Sequence, residues 1–203
     1  MLNAFCNDLF QRVITLNKIQ QRSNLKKTIN KIAPSNKRVL LDFGCGTGLF
    51  AKTILDMNID YYGYDIDQRL IDYASALYKN AKFTTELPLE EYSNKFDIVI
   101  ANCCFHHIGD DDLLNILDTL RSLLNEKGHL IIIDIMAPQN DTSIIRGIFR
   151  KLEQGQHVRT KSSYIDLTSS RFKIIDTSVE RSNVFSMDFV PVYNDLVVII
   201  ASP

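Results

Sequence analysis

The chain has 203 residues, of which 45% are apolar, and a formal charge of −1. That is enough to bury one sizeable core, and the near-neutral charge weighs against a nucleic-acid partner. No run of ~18 apolar residues predicts a membrane span. Met1 to Cys6 lacks the start of a secretory leader, and Cys6, Cys45, Cys103 and Cys104 match neither C-x-x-C nor zinc spacings, so free thiols in a reducing cytoplasm and no metal site are expected.

In chain order, Phe5, Leu9, Val13 and Leu16, then Leu25, Ile29 and Ile32, recur every three or four positions and predict helix, which Pro34-Ser35-Asn36 ends. Val39 to Phe43 is an apolar run of strand length leading into glycines, and Leu49 to Met57 has a helical pattern. Tyr61 to Ile66 predicts a strand, Gln68 to Lys79 a helix, and Lys82 to Thr85 a short strand. Phe96 to Asn102 is a strand. Asp110 to Leu124 is a helix whose opening acids suit its positive end. Gly128 is expected to break the chain before a strand from His129 to Ile135. Helices follow near Ser143 to Glu153 and Ser162 to Ser169, then strands at Phe172 to Val179 and Leu196 to Ala201, with a loop over 182–193 between them. Strands apolar at nearly every position, alternating with helices, indicate an α/β domain whose parallel sheet is covered on both faces.

Asp42-Phe43-Gly44-Cys45-Gly46-Thr47-Gly48 lies between a strand and a helix, where glycine lets a ligand meet the backbone closely. Asp65 ends the next strand, 21 residues after Gly44, in a place where a carboxylate can take both hydroxyls of a ribose. Dinucleotide sites read G-x-G-x-x-G, with a pyrophosphate on the helix N-terminus. Here the spacing is G-x-G-x-G, and Asp42 stands two residues before the first glycine. A carboxylate there repels a pyrophosphate and suits a ligand carrying an ammonium and a sulfonium.

These residues resemble the class I S-adenosylmethionine-dependent methyltransferases from about Val39 to Ile135. Val39 to Gly48 is similar to their first motif, and Tyr62-Gly63-Tyr64-Asp65 to the ribose-binding strand. Phe96 to Ile100 is similar to the fourth strand, and Leu123 to Leu130 to the turn into the fifth. The resemblance implies a Rossmann-like fold with a seven-stranded, mostly parallel sheet, helices on both faces and an N-terminal helical cap. It divides one domain, 1–203, into a cap (1–36), a cofactor-binding core (37–135), and acceptor-side helices and closing strands (136–203). It also implies that Asp42 helps hold the methionine moiety, that Gly44, Cys45, Gly46 and Gly48 pass under the cofactor, and that Ile66 packs on adenine. Asn102 and Cys103, at the end of the fourth strand, complete the cofactor set. The family's acid-containing turn after the third strand is shortened here to Phe83-Thr84-Thr85-Glu86-Leu87-Pro88, leaving Thr85 or Glu86 to meet the adenine amine.

On the acceptor side the chain reads Ala101-Asn102-Cys103-Cys104-Phe105-His106-His107. It departs from the Asn-Pro-Pro-aromatic motif of amino-group methyltransferases by lacking both prolines, and neither cysteine has the Pro-Cys context of a nucleophile. Phe105-His106-His107-Ile108 resembles the Leu-His-His stretch of small-molecule methyltransferases, in which His106 or His107 removes a proton from the acceptor or holds the loop. Basic residues concentrate in 1–38 and in Arg146 to Lys161. An anionic small-molecule acceptor is therefore expected, with His157 and Arg159 as contacts. An RNA- or protein-directed enzyme and a non-catalytic cofactor-binding partner remain the alternatives.

Overall fold

The computed structural model describes residues 18–33, 38–87, 91–137, 157–187 and 190–203, with side chains described outside 18–20 and 181–194. The helical stripe over Phe5 to Leu16, the Pro34 to Asn36 stop and the helix over Ser143 to Glu153 lie outside the described residues.

Helix α1 (Lys18–Ile32) precedes strand β1 (Arg38–Phe43), and a short helix α2 (Ala51–Leu55) follows the glycine turn. Then come β2 (Ile59–Tyr64), α3 (Gln68–Leu77), β3 (Lys82–Thr84) and β4 (Phe96–Asn102). A 3-10 turn (Phe105–His107) leads to α4 (Asp110–Leu123), β5 (Leu124–Ile135), α5 (Lys161–Ser169), β6 (Lys173–Met187) and β7 (Val190–Ser202). The seven strands form one sheet in the order β3-β2-β1-β4-β5-β7-β6. Strands β1 to β5 pair in parallel, and β7 runs antiparallel to both β5 and β6. This is the Rossmann-like, mostly parallel sheet that the family resemblance implies.

Side-chain alternation explains why the sheet is covered twice. Leu41, Val99, Ala101, Leu130, Ile132, Val197 and Ile199 face one way, onto Leu113, Leu117 and Leu120 of α4 and Tyr164 of α5. Their neighbours Leu40, Ile98, Ile100, Ile131, Ile133 and Val198 face the other way, onto Leu25 and Ile29 of α1 and Phe50 and Ile54 around α2. Asp67 caps α3 through the Arg69 N–H, and Thr160 caps α5 through the Ser163 N–H.

Three elements differ from expectation. The helix foreseen from Leu49 to Met57 is confined to Ala51–Leu55, between the left-handed Gly48 and the left-handed Asn58. Gly128 does not break the chain before the fifth strand but lies within it. The chain takes five steps from Leu124 to His129 while β4 takes two from Phe96 to Ile98, so the extra residues bulge. The backbone expected as a loop over 182–193 is largely ladder. Pairing of β6 with β7 continues from Glu180↔Leu196 to Met187↔Val190, past the last β5 partner, Ile135↔Leu196. A two-stranded arm thus extends beyond the edge at which β4 and β5 end.

Candidate cofactor and acceptor site

The site forms at the carboxyl edge of β1, β2 and β4, where open α/β sheets bind ligands. Leaving β1, the chain turns back when Gly44 and Cys45 both donate N–H bonds to the Tyr64 carbonyl, at 2.8 and 2.9 Å. Gly44 has φ +73°, and a Cβ on it would stand 2.8 Å from Cys104 Cβ, so the first glycine lets β1's turn close on the segment after β4. Gly46 has φ +53°, and a Cβ there would meet nothing within 4 Å. The second glycine therefore borders open space. Asp65 faces the same turn. Its Oδ2 accepts from Gly46 N at 2.8 Å and its Oδ1 from Asp67 N at 3.0 Å, which leaves carboxylate lone pairs for ribose hydroxyls. Beside it Ile66 is 82% exposed, the most exposed large apolar residue among those described.

Two further features fit a cationic, amine-bearing cofactor. Asn102 Oδ1, at the end of β4, is buried without a hydrogen-bond partner and so awaits a donor. Asp42 is buried at the end of β1 and accepts a 2.6 Å bond from the Tyr61 hydroxyl. Burial raises its carboxyl to about 7, with Tyr61 opposing the shift and Asp65 adding to it. Next to Asn102, Cys103 holds a left-handed φ of 50° and donates its N–H to Ile133 O at 2.8 Å, turning the chain away from the sheet. Burial first, and nearby carboxylates after it, push the Cys45 and Cys104 thiols up. Neutral thiols at these positions are packing groups, not nucleophiles. Thr85 and Glu86 are in a short turn in which Glu86 N donates to Thr84 Oγ1 at 3.0 Å, while the Thr85 hydroxyl faces Gln68 Oε1 at 3.5 Å.

On the acceptor side, the 3-10 turn is built around a residue the sequence did not single out. Asp134, fully buried on β5, accepts the Phe105 and His106 N–H groups on Oδ2, at 2.8 and 3.2 Å, and the Ile135 N–H on Oδ1. The same Oδ1 meets His106 Nδ1 at 2.5 Å. With its oxygens already accepting N–H groups, Asp134 faces a proton on Nδ1 of the imidazole, and Nε2 is the ring nitrogen that Asp134 does not hold. His106 is 3% exposed, and the ring of His107, itself exposed, packs over it at 4.1 Å between centroids. The signal for Asp134 was a lone acid in the apolar run Ile131-Ile132-Ile133-Asp134-Ile135.

His157 and Arg159 reach the same turn. His157 is exposed, lies beside Gly109, and donates its N–H to His106 O at 2.9 Å. Arg159 does not present its fork outward as the sequence led us to expect. It is 6% exposed and donates to Asp110 Oδ1 (Nε, 2.8 Å), to the Phe105 and His157 carbonyls (Nη1, 2.8 and 3.2 Å) and to the Ile108 carbonyl through Nη2. A guanidinium so engaged clamps the histidine turn to the 157–160 segment and has no fork left for an acceptor. Among the described residues, no group of three His, Cys, Asp or Glu side chains is arranged to hold a metal ion. No helix among them is long and apolar enough to cross a membrane.

Comparison with known proteins identifies the family. A methyltransferase-domain family model matches residues 17–169, three quarters of the chain, and the protein belongs to that family. An uncharacterized methyltransferase of Schizosaccharomyces pombe is 25% identical over 122 residues, 53% of this chain and 42% of that protein. One from Mycobacterium bovis is 30% identical over 119 residues, 54% of this chain and 57% of that protein. The chain thus spans about half the length of the curated relatives it matches. Among solved structures, an S-adenosylmethionine-dependent methyltransferase of Methanosarcina mazei has a TM-score of 0.69 at 18% identity, covering 86% of this chain and 96% of that one. Another, from Aquifex aeolicus, has a TM-score of 0.62 at 18% identity, covering 86% and 88%. The cofactor is S-adenosylmethionine, and the glycine turn, Asp42, Asp65 and Asn102 fit it.

Proposed function

We propose that this domain methylates a small-molecule acceptor at a protic oxygen or nitrogen, with His106 as the group that removes the acceptor's proton. The observation behind this is the Asp134–His106 pair, at the sheet edge next to Asn102 and Cys103. When bound, S-adenosylmethionine supplies an electrophilic methyl group on a sulfonium. The chain contributes position and one proton acceptor. Asp65 and Ile66 would hold the nucleoside end and Asp42 and Asn102 the amine end, while His106 Nε2 would take the acceptor's proton as its oxygen or nitrogen bonds to the methyl carbon and the carbon–sulfur bond breaks, leaving the cofactor as a neutral thioether. Alignment supplies much of the rate, since well-oriented intramolecular reactions gain roughly 7–11 kcal/mol.

The anionic character expected of the acceptor loses its direct contact, because Arg159 is engaged internally. Arg22 donates to Leu49 O, Arg38 to Ile29 O, and Lys31 pairs with Asp176. The proposal therefore asks for a small protic acceptor and places no demand on its net charge. Incubation with methyl-labelled cofactor and separate pools of metabolites, RNA and protein tests it. Label is expected in the metabolite pool and should be lost in His106→Asn. Label confined to RNA or protein overturns the acceptor class.

A further inference from the structure

Asp42 is 2% exposed, and the Tyr61 hydroxyl on Oδ2 is its one side-chain hydrogen bond among the described residues. No cation pairs with it there. The titratable groups around it are Tyr61 from β2, Asp65 just after β2, Cys45 in the glycine turn and Cys104 after β4, all acidic or neutral. Tyr78, at the end of α3, adds a further phenol on the Tyr61 side. A buried carboxylate with one neutral donor and acidic neighbours is a costly anion, so the carboxyl holds its proton more tightly than an exposed acid. A cation brought against it reverses that balance.

We propose that Asp42 is protonated in the cofactor-free protein and releases its proton to solvent when S-adenosylmethionine binds, with Tyr61 as the positioning residue that holds Oδ2 and leaves Oδ1 for the ligand's positive charge. This rests on the assignment of that cofactor to the site. Tyr61 matters because a phenol donating to the charged form favours that form, so it sets the pH at which the site becomes ready. Binding then discriminates by charge. An adenosine derivative without a cationic group gains the ribose and base contacts but draws off no proton.

The experiment is calorimetric titration of the intact chain with S-adenosylmethionine at about pH 6, in two buffers of different ionisation heat, repeated across the neutral range. Wild type should release close to one proton, and its affinity should rise by up to about tenfold per pH unit below neutrality, then level off. Asp42→Asn should bind more weakly and lose both the proton release and the slope. Tyr61→Phe should keep the release but move the levelling-off to higher pH, a shift that loss of packing alone does not produce. Binding by wild type without proton release overturns the proposal while leaving the cofactor assignment intact, as does a slope that persists in Asp42→Asn. Absence of binding at every pH removes the cofactor assignment and the proposal together.

Discussion

His106 and Asp134 lie 28 residues apart in sequence and meet at 2.5 Å, and the same carboxylate also takes the backbone N–H groups of Phe105 and His106. One side chain thus fixes the path of the turn and the tautomer of its imidazole. His106→Asn should lower kcat by ~10²–10⁴-fold with cofactor affinity unchanged, as expected for loss of a general base. Single-turnover rates measured beside calorimetric affinities check this. A rate near wild type would make the pair a fold device only.

The two glycines beside Asp65 make a contrast. An Ala at Gly46 bears the left-handed backbone cost, about 1–2 kcal/mol, and meets no protein atom. An Ala at Gly44 carries the same cost and also drives its Cβ into Cys104, adding ~1–3 kcal/mol of overpacking. Urea denaturation should rank Gly44→Ala well below Gly46→Ala, while cofactor titration should show Gly46→Ala impaired despite its milder effect on folding. Equal denaturation midpoints would contradict the contact.

Asp65→Ala removes the acceptor for two loop N–H groups and for the ribose. Cofactor binding should weaken by ~1.5–3 kcal/mol, the range for hydrogen bonds to a charged group. Titration of a variant with a native circular-dichroism spectrum gives the answer, and unchanged affinity removes the ribose assignment.

Arg159→Lys keeps the charge but cannot serve Asp110 and three carbonyls at once. We expect a stability loss of ~1–3 kcal/mol and a lower kcat through a loosened histidine turn, with acceptor KM little changed. A raised KM with normal stability would instead restore this residue to the acceptor site.

Asp42 also predicts a pH dependence of folding. Its carboxyl is raised in the folded protein to about 7 from an ordinary value of 3.8. The stability tied to its proton is therefore full below about pH 4 and lost as pH rises through 7. Asp42→Asn, which cannot ionise, should gain on wild type across that window, by on the order of 2–4 kcal/mol at pH 8. Denaturation of the cofactor-free proteins at pH 4, 6 and 8 measures the gap. A gap that stays constant with pH would mean Asp42 is already charged at pH 4.

Much of this was legible in the residues. Phe96 to Asn102 could be bounded in full because every position but Asp97 is apolar up to a polar end, and the spacing of Asp42, Gly44 and Asp65 singled out the turn at which the chain brings them together. Asp134 did not, since a carboxylate in an apolar strand means little until the turn it captures is placed beside it. Arg159 was misjudged for a related reason: sequence reveals a charge but not whether backbone carbonyls already surround it. The ladder over 182–193 was missed because Asn183 and Phe185 flank a register shift that disrupts the alternation by which a strand is recognised.

The position of β7 bears on how the chain reaches this state. It follows β6 in sequence yet inserts between β5 and β6, and its Leu196 to Ala201 are buried. Until it arrives, the Ile131-to-Ile135 edge of β5 is an open row of backbone donors and acceptors on an apolar strand, the arrangement that recruits foreign strands. Its contacts with β5 span more than sixty residues of chain, so closing the sheet is expected to be among the late and slow events of folding. Weakening this one strand should therefore show first as aggregation during refolding, before any loss in the activity of molecules that have completed it.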